Sequence, residues 1–320
     1  MKVSRKKITF IASCMIVIGI IFGVVGFSAG AELSISNTKD GIKVIKKEDR
    51  INEEFSLPSF KNMKVDFKDA DIEIIPSNEY KLEIERLKWT EVKHEVVNDT
   101  LVLTGEHQKS DSIFLMNLSF KNIPKPFIKI YVPKDAKFSD ISLVNKFGDI
   151  RLVEMAVDKM DINANDGDIE IKDFQSNELT IENGFGDITG SNVKTAKLQV
   201  EMNDGDAVFK ELEAASADVN NKFGDITFRE LTSQGLTMKS NDGDIEIQGK
   251  LLGNSVIHSS FGDIDLKLSN KESELSYSIR NQFGDISIND NHFEAKATNK
   301  ANTENKLDIV SNDGDVQVDF

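Results

Sequence analysis

Asn145-Lys146-Phe147-Gly148-Asp149-Ile150-Arg151-Leu152 is followed nineteen residues later by Ala164-Asn165-Asp166-Gly167-Asp168-Ile169-Glu170-Ile171. The Gly-Asp pair then recurs at Gly186, Gly205, Gly224, Gly243 and Gly262 with the same spacing, and at Gly284 and Gly314 after looser intervals of 22 and 30 residues. A constant short period is the mark of stacked rungs, because a unit this small cannot bury its own apolar face and must lean on the next. An antiparallel meander needs no such constancy, whereas rungs do, since like positions must superpose ~4.8 Å apart.

Each copy has the same inner grammar. Seven and five residues before the glycine stand Met160/Ile162, Leu179/Ile181, Leu198/Val200, Ala217/Val219 and Leu236/Met238; two and four after it stand Ile150/Leu152, Ile169/Ile171, Ala207/Phe209, Ile226/Phe228 and Ile245/Ile247. Spacing of two on either side predicts two short strands with alternate side chains inward. Inward parity flips across the glycine, so a bend is expected there, where a residue without Cβ tolerates positive φ. A third apolar position, at Met155, Phe174, Val193, Leu212 and Leu231, pins a returning loop. One rung thus reads as two strands, a glycine corner and a loop.

The residue before the glycine alternates: Phe147, Asp166, Phe185, Asp204, Phe223, Asp242, Phe261. Each of these Asp, like Asp313, follows an Asn, so F-G-D and N-D-G-D corners take turns with a super-period of 38. With a 19-residue coil, Phe and Asp stack alternately on one edge. With a 38-residue coil, each type has its own edge, and no carboxylate shares the parity of the core. Both arrangements satisfy the pattern.

Apolar residues make up 39% of the 320 residues and charged ones 29%, a globular balance. The single cysteine, Cys14, leaves stability to the β ladder and packing. Residues 145–320 carry 17 Lys and Arg against 34 Asp and Glu, so the acidity behind the net charge of −15 belongs to the repeats. Such a surface disfavours nucleic acid and anionic polymers and favours cations or basic peptides.

Residues 1–7 form a basic tail, and residues 8–31 run without a charge. That length suits a ~30 Å hydrocarbon core, and the flanking Lys2, Arg5, Lys6 and Lys7 predict a cytoplasmic N-terminus with an extracytoplasmic body. Ala29-Gly30-Ala31 also fits a signal-peptidase site, and Ile11-Ala12-Ser13-Cys14 a lipoprotein box, although the apolar run is long for either. Residues 32–54 read as a polar stalk, 55–140 as an irregular β capping region, and 141–320 as the array. Asp69-Ala70-Asp71-Ile72 looks like a worn copy of the corner, and residues 289–305 read as a polar insertion loop. All five prolines precede the array, in keeping with unbroken pairing inside it. The expected fold is all-β: a β-solenoid of ~19-residue rungs, preceded by one transmembrane helix and the capping region.

Chemistry-bearing patterns are few. An EF-hand with Gly167 at its sixth position would place Ile162 and Ala164 at ligand positions, so that loop fails. A low-affinity cation ladder, for which Ca²⁺ is the natural candidate, would use Asp166, Asp168, Asp204, Asp206, Asp242, Asp244, Asp313 and Asp315. The competing reading gives each Asp a backbone N–H of its own turn to accept from. His94, His107, His258 and His292 fall at unrelated positions, and no nucleophile elbow or Walker loop occurs. No catalytic or cofactor-binding residues are expected.

The N-terminal apolar run, the segment Phe127-Ile128-Lys129-Ile130-Tyr131-Val132-Pro133-Lys134-Asp135-Ala136, and the Asn145-Lys146-Phe147-Gly148-Asp149-Ile150 rungs resemble the bacterial putative-adhesin β-strand-repeat family. That family includes LiaG-type membrane-anchored envelope proteins of Gram-positive bacteria, encoded beside envelope-stress genes. The resemblance implies a β-solenoid on the outer face of the cytoplasmic membrane and carries no catalytic residues. The expected function is a non-enzymatic, adhesin-like binding protein of the cell envelope, whose partner is an envelope component or membrane protein. A regulatory or scaffold component contacting a membrane sensor, and a carbohydrate-active β-helix, are the alternatives.

Overall fold

The computed structural model describes residues 5–28, 35–38, 41–44, 49–107 and 126–320. Helix α1 (Arg5–Ser28) covers most of the uncharged run, and its described side chains, residues 12–26, are largely solvent-exposed. Among the described residues no helix is long and apolar enough to cross a membrane. The Ala29-Gly30-Ala31 site lies outside the described residues. Within the expected stalk, β1 (Ile35–Thr38) and β2 (Gly41–Val44) form an antiparallel pair. These elements and Leu87–Trp89 belong to one compact unit; Asn52–Arg86, Thr90–Glu106 and Lys125–Phe320 form another.

The second unit is a parallel β stack in which residue i pairs with residue i+19. After β3 (Arg50–Ser56) come β4 (Asn62–Asp69), β5 (Asp71–Ser77), β6 (Lys81–Leu87), β7 (Thr90–Val97), β8 (Thr100–His107) and β9 (Phe127–Pro133). The array proper runs through β10 (Lys137–Phe147), β11 (Ile150–Asp166), β12 (Ile169–Phe185), β13 (Ile188–Asp204), β14 (Ala207–Phe223), β15 (Ile226–Asp242), β16 (Ile245–Phe261) and β17 (Ile264–Leu268). Ile150 sits on Ile169, Ile169 on Ile188, and Phe147 on Asp166, which makes the coil one of 19 residues, not 38.

Burial along β11 shows how the coil closes. Ile150 and Leu152 are buried, then Met155 and Val157, then Met160, Ile162 and Ala164. The odd steps from 152 to 155 and from 157 to 160 switch the inward parity twice, and the step from 164 to 169 switches it a third time at the glycine. Each coil therefore has three short faces, so the returning segment is itself a paired strand and not the expected loop. Residues one coil apart stack to make a continuous core. Fully burying each of these large apolar side chains is worth ~1.5–3 kcal/mol. Where a column carries a ring its neighbour gives way: a Cβ on Gly190 would lie 2.2 Å from Cδ1 of Phe209, which itself packs edge-on against Phe228.

The worn corner is real. β4 lies parallel on β10 and β5 on the start of β11, with Asp69 under Phe147 and Ile72 under Ile150. β8 and β9 form a further layer beneath, and β7 turns into β8 through Asn98 and Asp99, both at positive φ, as a two-residue hairpin demands. Antiparallel β6 pairs with β9 there.

At the other end the chain order and the spatial order part. β18 (Ser276–Phe283), β19 (Ile286–Ile288), β20 (Asn291–Phe293), β21 (Lys296–Asn299), β22 (Lys306–Asp313) and β23 (Val316–Asp319) complete the sheet. β22 and β23 slot between the Gly262 layer and β18–β19, so the corners stack in the order Gly262, Gly314, Gly284. The expected insertion loop contains β20 and β21, which pair antiparallel to β19 and β18. Antiparallel strands thus lie against parallel layers near both ends, as an array with two open edges requires.

Candidate functional site

The glycine edge is built from four columns. The glycines lie at φ between +108° and +139°, and a Cβ on Gly205 would stand 2.2 Å from the carbonyl oxygen of Gly186 one coil below. The same close approach repeats at Gly148, Gly167, Gly186, Gly224, Gly243, Gly262, Gly284 and Gly314. Stacking of backbone on backbone, as much as φ, keeps every side chain but hydrogen out. Ala70 takes the place in its layer without positive φ.

Three residues before the glycine the column is buried and polar at Asn145, Asn183 and Asn221. Asn221 Nδ2 donates to Gly205 O at 2.9 Å and to Gly224 O at 3.0 Å; Asn183 serves Gly167 and Gly186, and Asn145 serves Ala70 and Gly148. A single amide thus satisfies the corner carbonyls of two successive coils. It is needed only at alternate coils, where the intervening positions hold Ala164, Met202 and Ser240. From Asn145 to Asn221 the amide keeps step with the 38-residue super-period, and at the next position due the chain has Ser259, whose hydroxyl donates to Phe261 O at 3.3 Å.

One residue after the glycine every layer carries Asp, and each side chain serves the neighbouring coil. Asp149 Oδ1 accepts from the Asp168 N–H at 3.1 Å, Asp168 from Asp187 at 2.9 Å, Asp187 from Asp206 at 2.9 Å and Asp206 from Asp225 at 2.8 Å. The chain of bonds starts at Asp71 and continues through Asp225, Asp244, Asp263 and Asp315 to Asp285. The expectation of an Asx bond within the same turn is corrected: the corner N–H points along the stack, so its acceptor comes from the next layer.

The fourth column immediately precedes the glycine, and its side chains face solvent. Register places Asp69, Phe147, Asp166, Phe185, Asp204, Phe223, Asp242, Phe261, Asp313 and Phe283 one above another. In sequence Phe261, Phe283 and Asp313 would break the alternation. Insertion of β22 between β16 and β18 restores it. The phenylalanines are 47–58% exposed. No carboxylate is driven into the core, because the chain has already turned outward at this position.

Of the residues read as a cation ladder, Asp166, Asp204, Asp242 and Asp313 fall in the Phe/Asp column and Asp168, Asp206, Asp244 and Asp315 in the continuous Asp column. Among the described residues no group of three or more His, Cys, Asp or Glu is placed to hold a metal ion. Nor do the three histidines with described side chains meet. His94 packs tilted against Phe55, with ring centroids 4.1 Å apart, while His258 and His292 lie on β16 and β20. A shallow concavity of about 250 Å³ between Phe138, Asp158, Gln175 and Asn177 brings a single carboxylate, and its Ser176 hydroxyl donates to Thr195 Oγ1 at 2.9 Å.

Sequence reasoning missed a second corner. Glu154, Asp173, Asn192, Glu211 and Glu230 lie 19 apart at φ +51° to +55°, left-handed positions held without glycine. Asn192 Nδ2 donates to Asp173 Oδ1 at 2.7 Å, one coil below. The signal was present as an acidic or amide residue six places after each glycine from Gly148 to Gly224; in the next coil that place is Gly249, at φ +153°.

The Toastrack DUF4097 family model matches residues 60–319. The chain belongs to that family. Solved structures similar to this Toastrack protein include one described as a putative adhesin from Bacteroides fragilis, at 14% identity, covering 85% of this chain and 98% of that one, with TM-score 0.41. A putative adhesin from Parabacteroides distasonis is similar at 11% identity, 84% and 97% coverage, and TM-score 0.47. A putative lipid binding protein from the same species stands at 13% identity, 85% and 98% coverage, and TM-score 0.37. No curated protein matches the sequence.

Proposed function

We propose that this Toastrack protein is a non-enzymatic binding protein of the bacterial cell envelope, tethered by its N-terminal helix with the β stack on the extracytoplasmic side. The observation that carries the reading is the glycine edge. The Asn column and one oxygen of each Asp in the Asp column satisfy backbone groups, which leaves a long outward column of rings and carboxylates with no metal-holding cluster beside it among the described residues. A surface repeated layer after layer suits multivalent contact better than a unique reaction centre. The tether rests on the sequence: residues 8–31 are uncharged and follow a basic flank.

Protease added to intact protoplasts tests the topology. Digestion of the β stack with survival of the N-terminal helix is the expected result. Protection of the whole chain until lysis would overturn the extracytoplasmic placement.

A further inference from the structure

We infer that the Phe/Asp column docks an extended, lysine- or arginine-bearing polypeptide in the polyproline II conformation. The inference deepens the binding role proposed above and rests on it.

The phenylalanines are not there for the fold. Asp occupies the same column in alternate layers with the same positive-φ glycine and the same backbone N–H···O bonds across the corner, so the backbone accepts either residue. Scattered exposed apolar residues are ordinary on any protein. Here five of the seven large apolar side chains exposed in the β stack, all but Val97 and Phe293, stand in one line. The exchange of strand order near the C-terminus keeps that line strictly alternating. Asp166, Asp204, Asp242 and Asp313 are exposed between the rings and form no ion pair among the described residues.

Spacing selects the partner's conformation. Successive rings are two layers apart, which is ~9.6 Å at ~4.8 Å per layer. A polyproline II helix advances ~9.3 Å in its three-residue turn, so every third residue meets a ring on the same side. Over the four intervals from Phe147 to Phe283 the accumulated mismatch is only ~1 Å. An extended β-strand covers ~10 Å in three residues but turns successive contacts to opposite faces. An α-helix rises ~5.4 Å per turn and matches neither one layer nor two.

Chemistry selects the side chains. Proline rings pack well on aromatic faces, as in other aromatic-lined grooves that take Pro-rich segments. A Lys or Arg once per turn reaches the intervening Asp, with the continuous Asp column alongside adding long-range attraction. Each contact is weak, and the repeat multiplies it.

The test uses the full-length protein in nonionic detergent micelles and fluorescein-labelled peptides read by anisotropy. One peptide repeats Pro-Pro-Lys; the comparator has the same composition with its lysines gathered at one end. Expected is binding of the periodic peptide about tenfold tighter than the comparator, lost about tenfold in F185S/F223S, whose circular dichroism stays unchanged. D204N should weaken binding less and flatten its salt dependence. Equal affinity of the two peptides, or indifference to F185S/F223S, would overturn the docking inference while leaving the protoplast result untouched. So would ring-dependent binding to wall polysaccharide or lipid vesicles, or ring-dependent self-association, in place of peptide binding.

Discussion

Two corners of the same coil solve the same problem differently. At both, the chain enters positive φ once per 19 residues, yet one corner is glycine in every coil from Gly148 to Gly262 and the other is Glu154, Asp173, Asn192, Glu211 and Glu230. The difference lies in what stands beneath. Under each glycine is the corner carbonyl of the layer below, Ala70 under Gly148 and a glycine under the rest, 2.1–2.4 Å from where a Cβ would be built, whereas the second corner holds side chains as long as Glu in five successive coils before Gly249. Positive φ alone is a mild demand that several residues meet at modest cost. Backbone-to-backbone contact is an absolute one.

The largest effect should come from breaking that contact. Gly205→Ala, in the middle of the stack, forces the Gly186 carbonyl aside and strains φ at +131°. A loss above ~3 kcal/mol is expected in urea unfolding, or failure to accumulate folded protein. If the variant unfolds like the parent, the two corners do not differ as described.

Next comes the amide that serves two coils. Asn221→Ala leaves the half-buried Gly205 and Gly224 carbonyls without their side-chain donor, at a cost of ~1–2 kcal/mol for the pair. Met202→Ala, at the equivalent position one coil below, removes apolar volume but no donor. Loss of protection at the corner amides in hydrogen exchange should therefore follow the first variant and spare the second. Equal patterns would deny the alternating role.

At the second corner the sign reverses. Glu211→Gly relieves a left-handed residue at φ +54° and should stabilise by ~0.5 kcal/mol, the relief being partly offset by the added freedom of the unfolded chain. A gain here beside a collapse at Gly205, six residues away, is the sharpest form of the contrast.

What could be read from the sequence divides along the same line. The glycine corner repeats one identity, so its period, its bend and even its worn copy at Ala70 were visible. The second corner repeats only a backbone conformation shared by Glu, Asp and Asn, and no single-letter pattern announces it; the three-faced coil was missed with it. The 38-residue alternation was seen but left open between two coil lengths, because both satisfy it and only the register of stacked layers, Phe147 on Asp166 and Asp166 on Phe185, decides between them. The exchange of β22 and β18 is a long-range pairing between segments of equal local pattern, and local pattern cannot rank them. Of the eight aspartates read as a cation ladder, four turned out to share a column with the phenylalanines, three of them through the 19-residue register and only Asp313 through that exchange.

The smallest effect is that of charge alone at the Asp column, separated there from the loss of an acceptor. Asp206 Oδ1 accepts the Asp225 N–H, and the carboxylate stands between Asp187 and Asp225 one layer to either side. Asp206→Asn keeps an acceptor in place and removes one of three stacked charges, each pair of which repels by under ~1 kcal/mol in water. Asp206→Ala removes acceptor and charge together and hands an exposed N–H to solvent, at a cost of ~0.5–1 kcal/mol. In low salt the Asn variant should therefore equal or exceed the parent in denaturation midpoint, while the Ala variant falls below it. Raising the ionic strength should erase the advantage of Asn and leave the deficit of Ala, since salt screens repulsion but supplies no acceptor. If Asn destabilises as much as Ala at every salt concentration, the carboxylate charge itself is needed, and the column is more than a device for satisfying the corner.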